Sequence, residues 1–166
     1  MEHIILVGMM GSGKTTIGNL VAKKSGRNFM DTDTIIEQED AMSISDIMVL
    51  RGESYFRALE RRIILSIGVT KPFVISTGGG AVMDYDIFNF LKKLGKVVYL
   101  KASPETLYRR VANTENRPLL RNGDRLLTIR KLLQEREGRY LESDIVIETD
   151  NRSHDEIADE IIKKVL

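Results

Sequence analysis

The chain has no cysteine, which excludes a disulfide framework and any thiolate metal site and fits a reducing compartment. It also lacks an excess of either charge, since 25 Lys and Arg stand against 24 Asp and Glu for a net +1. Nothing in that balance suggests wrapping nucleic acid or coating an acidic membrane, so any basic site has to be local. Long apolar runs are missing as well. HIILVG at 3–8 and RIILSIGV at 62–69 are far too short to span a bilayer, and no leader-like segment precedes the first of them. The expectation is a soluble cytoplasmic protein without nucleic-acid or membrane partners. No repeat, low-complexity tract or flexible linker divides the 166 residues, so a single domain spanning 1–166 is expected. No feature marks a dimer seam, and a monomer is the default.

Short β-rich runs alternate with helical periodicity, the order of an α/β domain with a five-stranded parallel sheet flanked by helices. The strands are expected at 4–7, 28–31, 73–76, 97–100 and 145–148. They read as apolar on both faces, as buried parallel strands should. Ile17, Leu20 and Val21 give 14–24 a helical face that Gly26 stops. Helices are also expected over 43–50 and 54–67, separated by Gly52, as an insert longer than a simple crossover needs. A last helix opens on Ser153 and Glu156 in a capping-box pattern. The polar, arginine-bearing segment 113–125 reads either as a loop over a site or as a solvated connection.

GMMGSGKT, Gly8 to Thr15, satisfies every fixed position of the phosphate-binding pattern G-x-x-x-x-G-K-[ST], directly after a strand and opening a helix. The glycines let backbone N–H groups turn inward around phosphate oxygens, and the helix N-terminus adds its dipole. Lys14 can reach the β- and γ-phosphates of a nucleotide, and Thr15 can place its hydroxyl on Mg²⁺; the loop alone does not distinguish an ATPase, a GTPase or a kinase. Two absences narrow the class. No Asn-Lys-x-Asp tetrad is present to read guanine, and the third strand ends in STGGGA rather than in a metal-ordering carboxylate. The acid has to come from elsewhere. In NFMDTDT, Asp31 and Asp33 are two residues apart, and in an extended chain they would face one space.

The loop, the DTD at 31–33, RGESYFRALE at 51–60, STGGG at 76–80, RPLL at 117–120 and the ERxxxY segment from Glu135 to Tyr140 occur together in an order that resembles shikimate kinases. The resemblance covers nearly the whole chain. It implies a fold of the P-loop NTP hydrolase, nucleoside monophosphate kinase-like type, with a substrate-binding helical insert at about 32–60 and a mobile lid at about 112–124. It implies transfer of the γ-phosphoryl group of ATP to the 3-hydroxyl of shikimate, with Mg²⁺. Nucleotide contacts then fall to Gly11, Ser12, Gly13, Lys14, Thr15 and Thr16, and Mg²⁺ to Thr15 and Asp31. On the base side the matching positions are Arg110, near the end of the helix that precedes the lid, and Arg152. Arg117 matches the lid arginine that swings over the phosphates. Asp33 is expected to accept hydrogen bonds from the shikimate hydroxyls and to serve as a possible base toward the attacking one. Arg57 and Arg136 match the carboxylate-binding positions, where the planar fork of arginine suits a carboxylate. Gly78, Gly79 and Gly80 offer a closely approaching backbone, and Met48 and Phe56 an apolar wall.

Several alternatives stay open. Glu53 and Glu60 flank Arg57 at helical spacing, so a surface ion-pair ladder would look the same. Family members often carry a proline where this chain has Gly138, which leaves Arg139 as a substitute for Arg136. Met48 and Phe56 could be ordinary core. Another small P-loop kinase, for gluconate or a nucleoside monophosphate, or a non-catalytic ATP-binding domain, would share the loop.

Overall fold

The computed structural model describes residues 2–68, 71–112 and 123–166. Arg117 and most of the expected lid, residues 113–122, lie outside them. Five strands form one parallel sheet: β1 (His3–Val7), β2 (Asn28–Asp31), β3 (Phe73–Ser76), β4 (Gly95–Lys101) and β5 (Ile145–Glu148), in the order β2-β3-β1-β4-β5. The expected strands are all present. Their burial differs from the expectation at the two edges, where β2 and β5 are largely half-buried or exposed. An edge strand has a neighbour on one side only, and the helices cover it incompletely. The three central strands are buried nearly throughout.

The helices among the described residues are α1 (Lys14–Ser25), α2 (Thr32–Asp40), α3 (Ile44–Arg51), α4 (Glu53–Leu65), α5 (Tyr85–Leu94), α6 (Pro104–Val111), α7 (Arg125–Tyr140) and α8 (His154–Val165), with a short 3-10 turn over Ala81–Met83. Of these, α2, α5 and α7 go beyond the helices expected from the sequence. Gly26 ends α1 in the left-handed region at φ 67°, and Gly52 at φ 87° both closes α3 and opens α4. The Ser153–Glu156 capping box opens α8 as expected. None of these helices is long and apolar enough to cross a membrane.

Two apolar clusters cover the sheet. One joins Leu6 and Val98 to Ile17 and Val21 of α1 and Ile157 and Ile161 of α8. The other joins Val7, Ile75 and Tyr99 to Phe88 and Leu91 of α5 and Ile129 and Leu133 of α7. The insert has a small core of its own, built on Ile36, Ile47, Phe56, Leu59 and Ile63. That separate core holds α2, α3 and α4 as a unit beside the sheet. Because β1 lies between β3 and β4, the sheet order reverses direction at β1, and a crevice opens past the C-terminal ends of the central strands.

Candidate active site

The loop after β1 turns on three glycines with positive φ, Gly8 (145°), Gly11 (78°) and Gly13 (93°), a conformation that L side chains rarely adopt. Gly13 caps α1 without a side chain, so the first N–H groups of the helix stay available to an anion. The Lys14 ammonium lies across the loop, donating to the carbonyls of Gly8 (2.7 Å) and Met9 (2.9 Å). Ser12 is fully buried, and its N–H closes a turn on Met9 O at 3.1 Å.

Asp31 ends β2 and caps α2. Its Oδ1 accepts from the N–H groups of Asp33 (3.0 Å) and Thr34 (3.3 Å), and its Oδ2 accepts from the Thr15 hydroxyl at 2.8 Å. The chain therefore does not stay extended through Asp33. The free N–H groups of a helix start recruit the nearest carboxylate, and that turns the strand into a helix at Thr32. The two acids still share one space, because both line the same cavity.

Past β3, each of Gly78, Gly79 and Gly80 makes room for a particular side chain. A Cβ on Gly78 would stand 2.5 Å from Glu60 Oε1 and 2.9 Å from Asp33 Oδ1. One on Gly79 would stand 3.3 Å from Arg136 Nη1, and one on Gly80 only 2.5 Å from Arg57 Nη2. The three glycines admit an acid pair and an arginine pair to the same stretch of backbone. Among the described residues the N–H groups of these glycines make no backbone hydrogen bond.

The ion-pair ladder on α4 is real: Arg57 Nη1 meets Glu60 Oε2 at 2.9 Å and Nη2 meets Glu53 Oε1 at 3.5 Å. It does not displace the other reading, because Arg57 also lines the cavity. Glu60 has a buried side chain, and burial pushes its carboxyl upward against the pull of Arg57 and, more weakly, Arg136. The sequence alone marks Glu60 only as a rung of the ladder. The signal for more was its spacing on the buried face of α4, four residues after Phe56 and three before Ile63.

Arg136 and Arg139 part company. Arg136 is 6 % exposed, lines the cavity and forms no ion pair with a described residue. Arg139 lies over the rings of Tyr85 (5.6 Å) and Phe88 (5.8 Å) and pairs with Glu142 at 3.2 Å. Met48 and Phe56 belong to the insert's core and also line the cavity, so both readings of them hold.

On the far side Arg110 donates to Gly11 O (3.2 Å) and Thr149 O (3.3 Å), joining the phosphate loop to the turn after β5. Arg152 is not among the cavity-lining residues; its guanidinium is held by Glu160 at 2.6 Å and by the Glu148 carbonyl at 2.9 Å. His154, which the sequence reading did not single out, lines this end instead.

One cavity of about 1080 Å³ thus runs from Gly11, Gly13, Lys14, Thr15 and Thr16 past Asp31 and Asp33 to Arg57, Gly78–Gly80 and Arg136. A smaller one of about 500 Å³ meets it at Arg57, Glu60, Gly80 and Arg136. The phosphate loop and a small polar region with cationic and anionic ends therefore line one continuous space.

The family model for shikimate kinase matches residues 10–166. The chain belongs to the shikimate kinase family. It is 43 % identical to the shikimate kinase of Caldicellulosiruptor saccharolyticus over 98 % of its length and 94 % of that protein's. Its fold superposes with a TM-score of 0.96 on a shikimate kinase from Acinetobacter baumannii in complex with shikimate, at 36 % identity, covering 99 % of this chain and 93 % of that one. A gluconokinase from Sinorhizobium meliloti, at 16 % identity and a TM-score of 0.59, shares the fold alone. Membership in the shikimate kinase family accounts for why a phosphate loop, a DTD and three glycines occur in one chain of this length.

Proposed function

We propose that this protein transfers the γ-phosphoryl group of ATP to the 3-hydroxyl of shikimate, a step toward chorismate and the aromatic amino acids. The observation that carries the reading is the continuity of the two sites. The phosphate loop, Asp33 and an arginine pair of carboxylate-binding type line one cavity. The whole chain acts as one domain, with an acceptor-binding insert over about 32–60 and a lid over about 112–124. A soluble cytoplasmic monomer suffices for this chemistry.

Phosphoryl transfer has a loose transition state, so positioning and charge neutralisation carry most of the catalysis. Gly11 to Thr16 cradle the phosphates, with Lys14 exchanging its loop carbonyls for phosphate oxygens. Thr15 and Asp31 fit Mg²⁺. A hydroxyl and a carboxylate 2.8 Å apart are hard oxygen donors, and Mg²⁺ characteristically takes one or two such groups and fills its remaining positions with water and phosphate. When bound, the ion neutralises charge on the β- and γ-phosphates. Arg57 and Arg136 grip the shikimate carboxylate, assisted by the Gly78–Gly80 backbone. Asp33 orients the attacking hydroxyl and accepts its proton. Arg117 neutralises the transferring group when the lid closes. Arg110 and Arg152 serve the adenine side, Arg110 from the cavity wall and Arg152 from the turn before α8.

A coupled assay of ATP consumption tests the reading, with shikimate, gluconate, a nucleoside monophosphate or no acceptor. Consumption that depends on shikimate is expected. Dependence on one of the other acceptors, or turnover indifferent to all of them, would overturn it.

A further inference from the structure

Tyr140 lies at the end of α7 and is fully buried, with its ring stacked on Tyr99 at a centroid distance of 4.8 Å and an interplanar angle of 21°. Its hydroxyl donates to the Gly79 carbonyl at 2.5 Å. Arg136 stands one helical turn earlier on the same face of α7; its guanidinium is near enough to the same hydroxyl to oppose the rise of the phenol's pKa, and its Nη1 lies 3.3 Å from where a Cβ on Gly79 would stand. A phenol carries one donor and can also accept. Here the proton goes to Gly79, and the oxygen keeps its accepting capacity beside the Arg136 guanidinium.

We propose that the Tyr140 hydroxyl is a positioning group: it fixes the Gly79–Gly80 peptide and the Arg136 guanidinium in one arrangement and thereby sets the protein's affinity for the acceptor's carboxylate. The proposal rests on the functional reading above. Both groups need an outside anchor. The glycine segment lies beyond the end of β3, has no ladder to hold it, and has the freest backbone available. Arg136 has no carboxylate partner among the described residues to fix its fork. In a trans peptide the carbonyl of one residue and the N–H of the next point in opposite directions. Anchoring Gly79 O to α7 therefore turns the Gly80 N–H away from α7, and Gly80 lies on the wall of both cavities. Burial pushes the phenol's pKa up to about 12, so its proton stays in place across the working pH range.

Tyr140→Phe removes the hydroxyl and leaves the ring. The expected result is a KM for shikimate raised about tenfold, the size of one lost hydrogen bond to a charged group, with KM for ATP changed less than about twofold. Tyr99→Phe, which alters the other ring of the stack, is the control and should leave both constants unchanged. A merely structural role predicts a lowered melting temperature with shikimate and ATP affected alike. That outcome, an unchanged KM for shikimate, or the same shift in Tyr99→Phe would overturn the proposal. A near-isosteric probe covers the case in which Tyr140→Phe folds poorly. With 3-fluorotyrosine incorporated at position 140, the ¹⁹F resonance should move on titration with shikimate and not with a non-hydrolysable ATP analogue; a signal blind to shikimate would overturn the proposal. Absence of shikimate-dependent turnover in the wild type would overturn the functional reading and this proposal with it, whereas wild-type turnover with an unaltered variant would overturn this proposal alone.

Discussion

The Arg57 guanidinium occupies the space that a side chain at Gly80 would take. Its Nη2 and Nη1 lie 2.5 and 2.7 Å from the position of a Cβ there. The backbone of Gly80 is ordinary, at φ −89° and ψ −8°, so any L residue could adopt it. What keeps the position a glycine is the neighbour and not the conformation.

Gly80→Ala is therefore expected to fold normally and to push the guanidinium aside, because the far end of an arginine moves easily. KM for shikimate should rise by about tenfold or more, as expected for a weakened charged hydrogen bond, with a melting temperature close to wild type. Steady-state kinetics with thermal melts check this, and an unaltered KM would contradict it.

Asp33→Asn keeps the shape of the side chain in the first turn of α2 and removes its charge. Turnover should fall by about a hundredfold or more, in the range lost when a positioned acid–base group is removed, while the fold persists because Asp31 supplies the cap. Near-normal turnover with shikimate would mean that Asp33 neither orients nor deprotonates the acceptor.

The two late arginines should separate by assay. Arg136→Ala is expected to cost shikimate affinity, since Arg136 lines the cavity. Arg139→Ala should instead cost stability, by up to about 1 kcal/mol for an exposed pair and its ring contacts. It loses the contacts with Tyr85, Phe88 and Glu142 and leaves the acceptor site intact. Shikimate titrations and denaturant unfolding of both variants check the split; a large affinity loss confined to Arg139→Ala would reverse the assignment.

His3 gives the fold a pH dependence of its own. Its Nδ1 accepts from the Phe73 N–H at 3.0 Å, an interaction that requires the unprotonated nitrogen, and burial together with nearby Arg27 lowers its pKa below the usual 6.5. The unfolded chain then takes up a proton at a higher pH than the folded one. This group's contribution to stability is complete above about pH 6.5 and declines as pH falls from there toward the lowered folded value. Denaturant unfolding at pH 7.5 and pH 5.5 should show a smaller loss on acidification in His3→Asn, which keeps an acceptor near the same place without titrating, than in wild type. An equal loss in both would remove His3 from the account.

The sequence was most informative where local rules act alone. Gly26, Gly52 and the Ser153–Glu156 box end or begin helices in both readings, since a left-handed residue or a capping side chain needs only its own neighbours. The phosphate loop was legible for the same reason. Alternation alone makes Asp31 and Asp33 extended, but capping overrides it: the hydroxyl of Thr15 and two N–H groups converge on Asp31 from separate places. The placement of Glu60 and His154 on the cavity wall and of Tyr140 against Gly79 is not legible in the sequence, because it arises only when α4, α7 and α8 meet the end of the sheet. No spacing within one helix records which carbonyl a tyrosine reaches 61 residues away. The half-exposed edges were invisible for a related reason: strand order is a tertiary fact.

The measurement closest to the central claim is the structure of the product. After incubation of the protein with ATP, Mg²⁺ and shikimate, ³¹P–¹H correlation spectra should show one new phosphate ester coupled to the ring proton at carbon 3, in an amount matching the ADP formed. ADP without an ester, or an ester on another hydroxyl, would contradict the account.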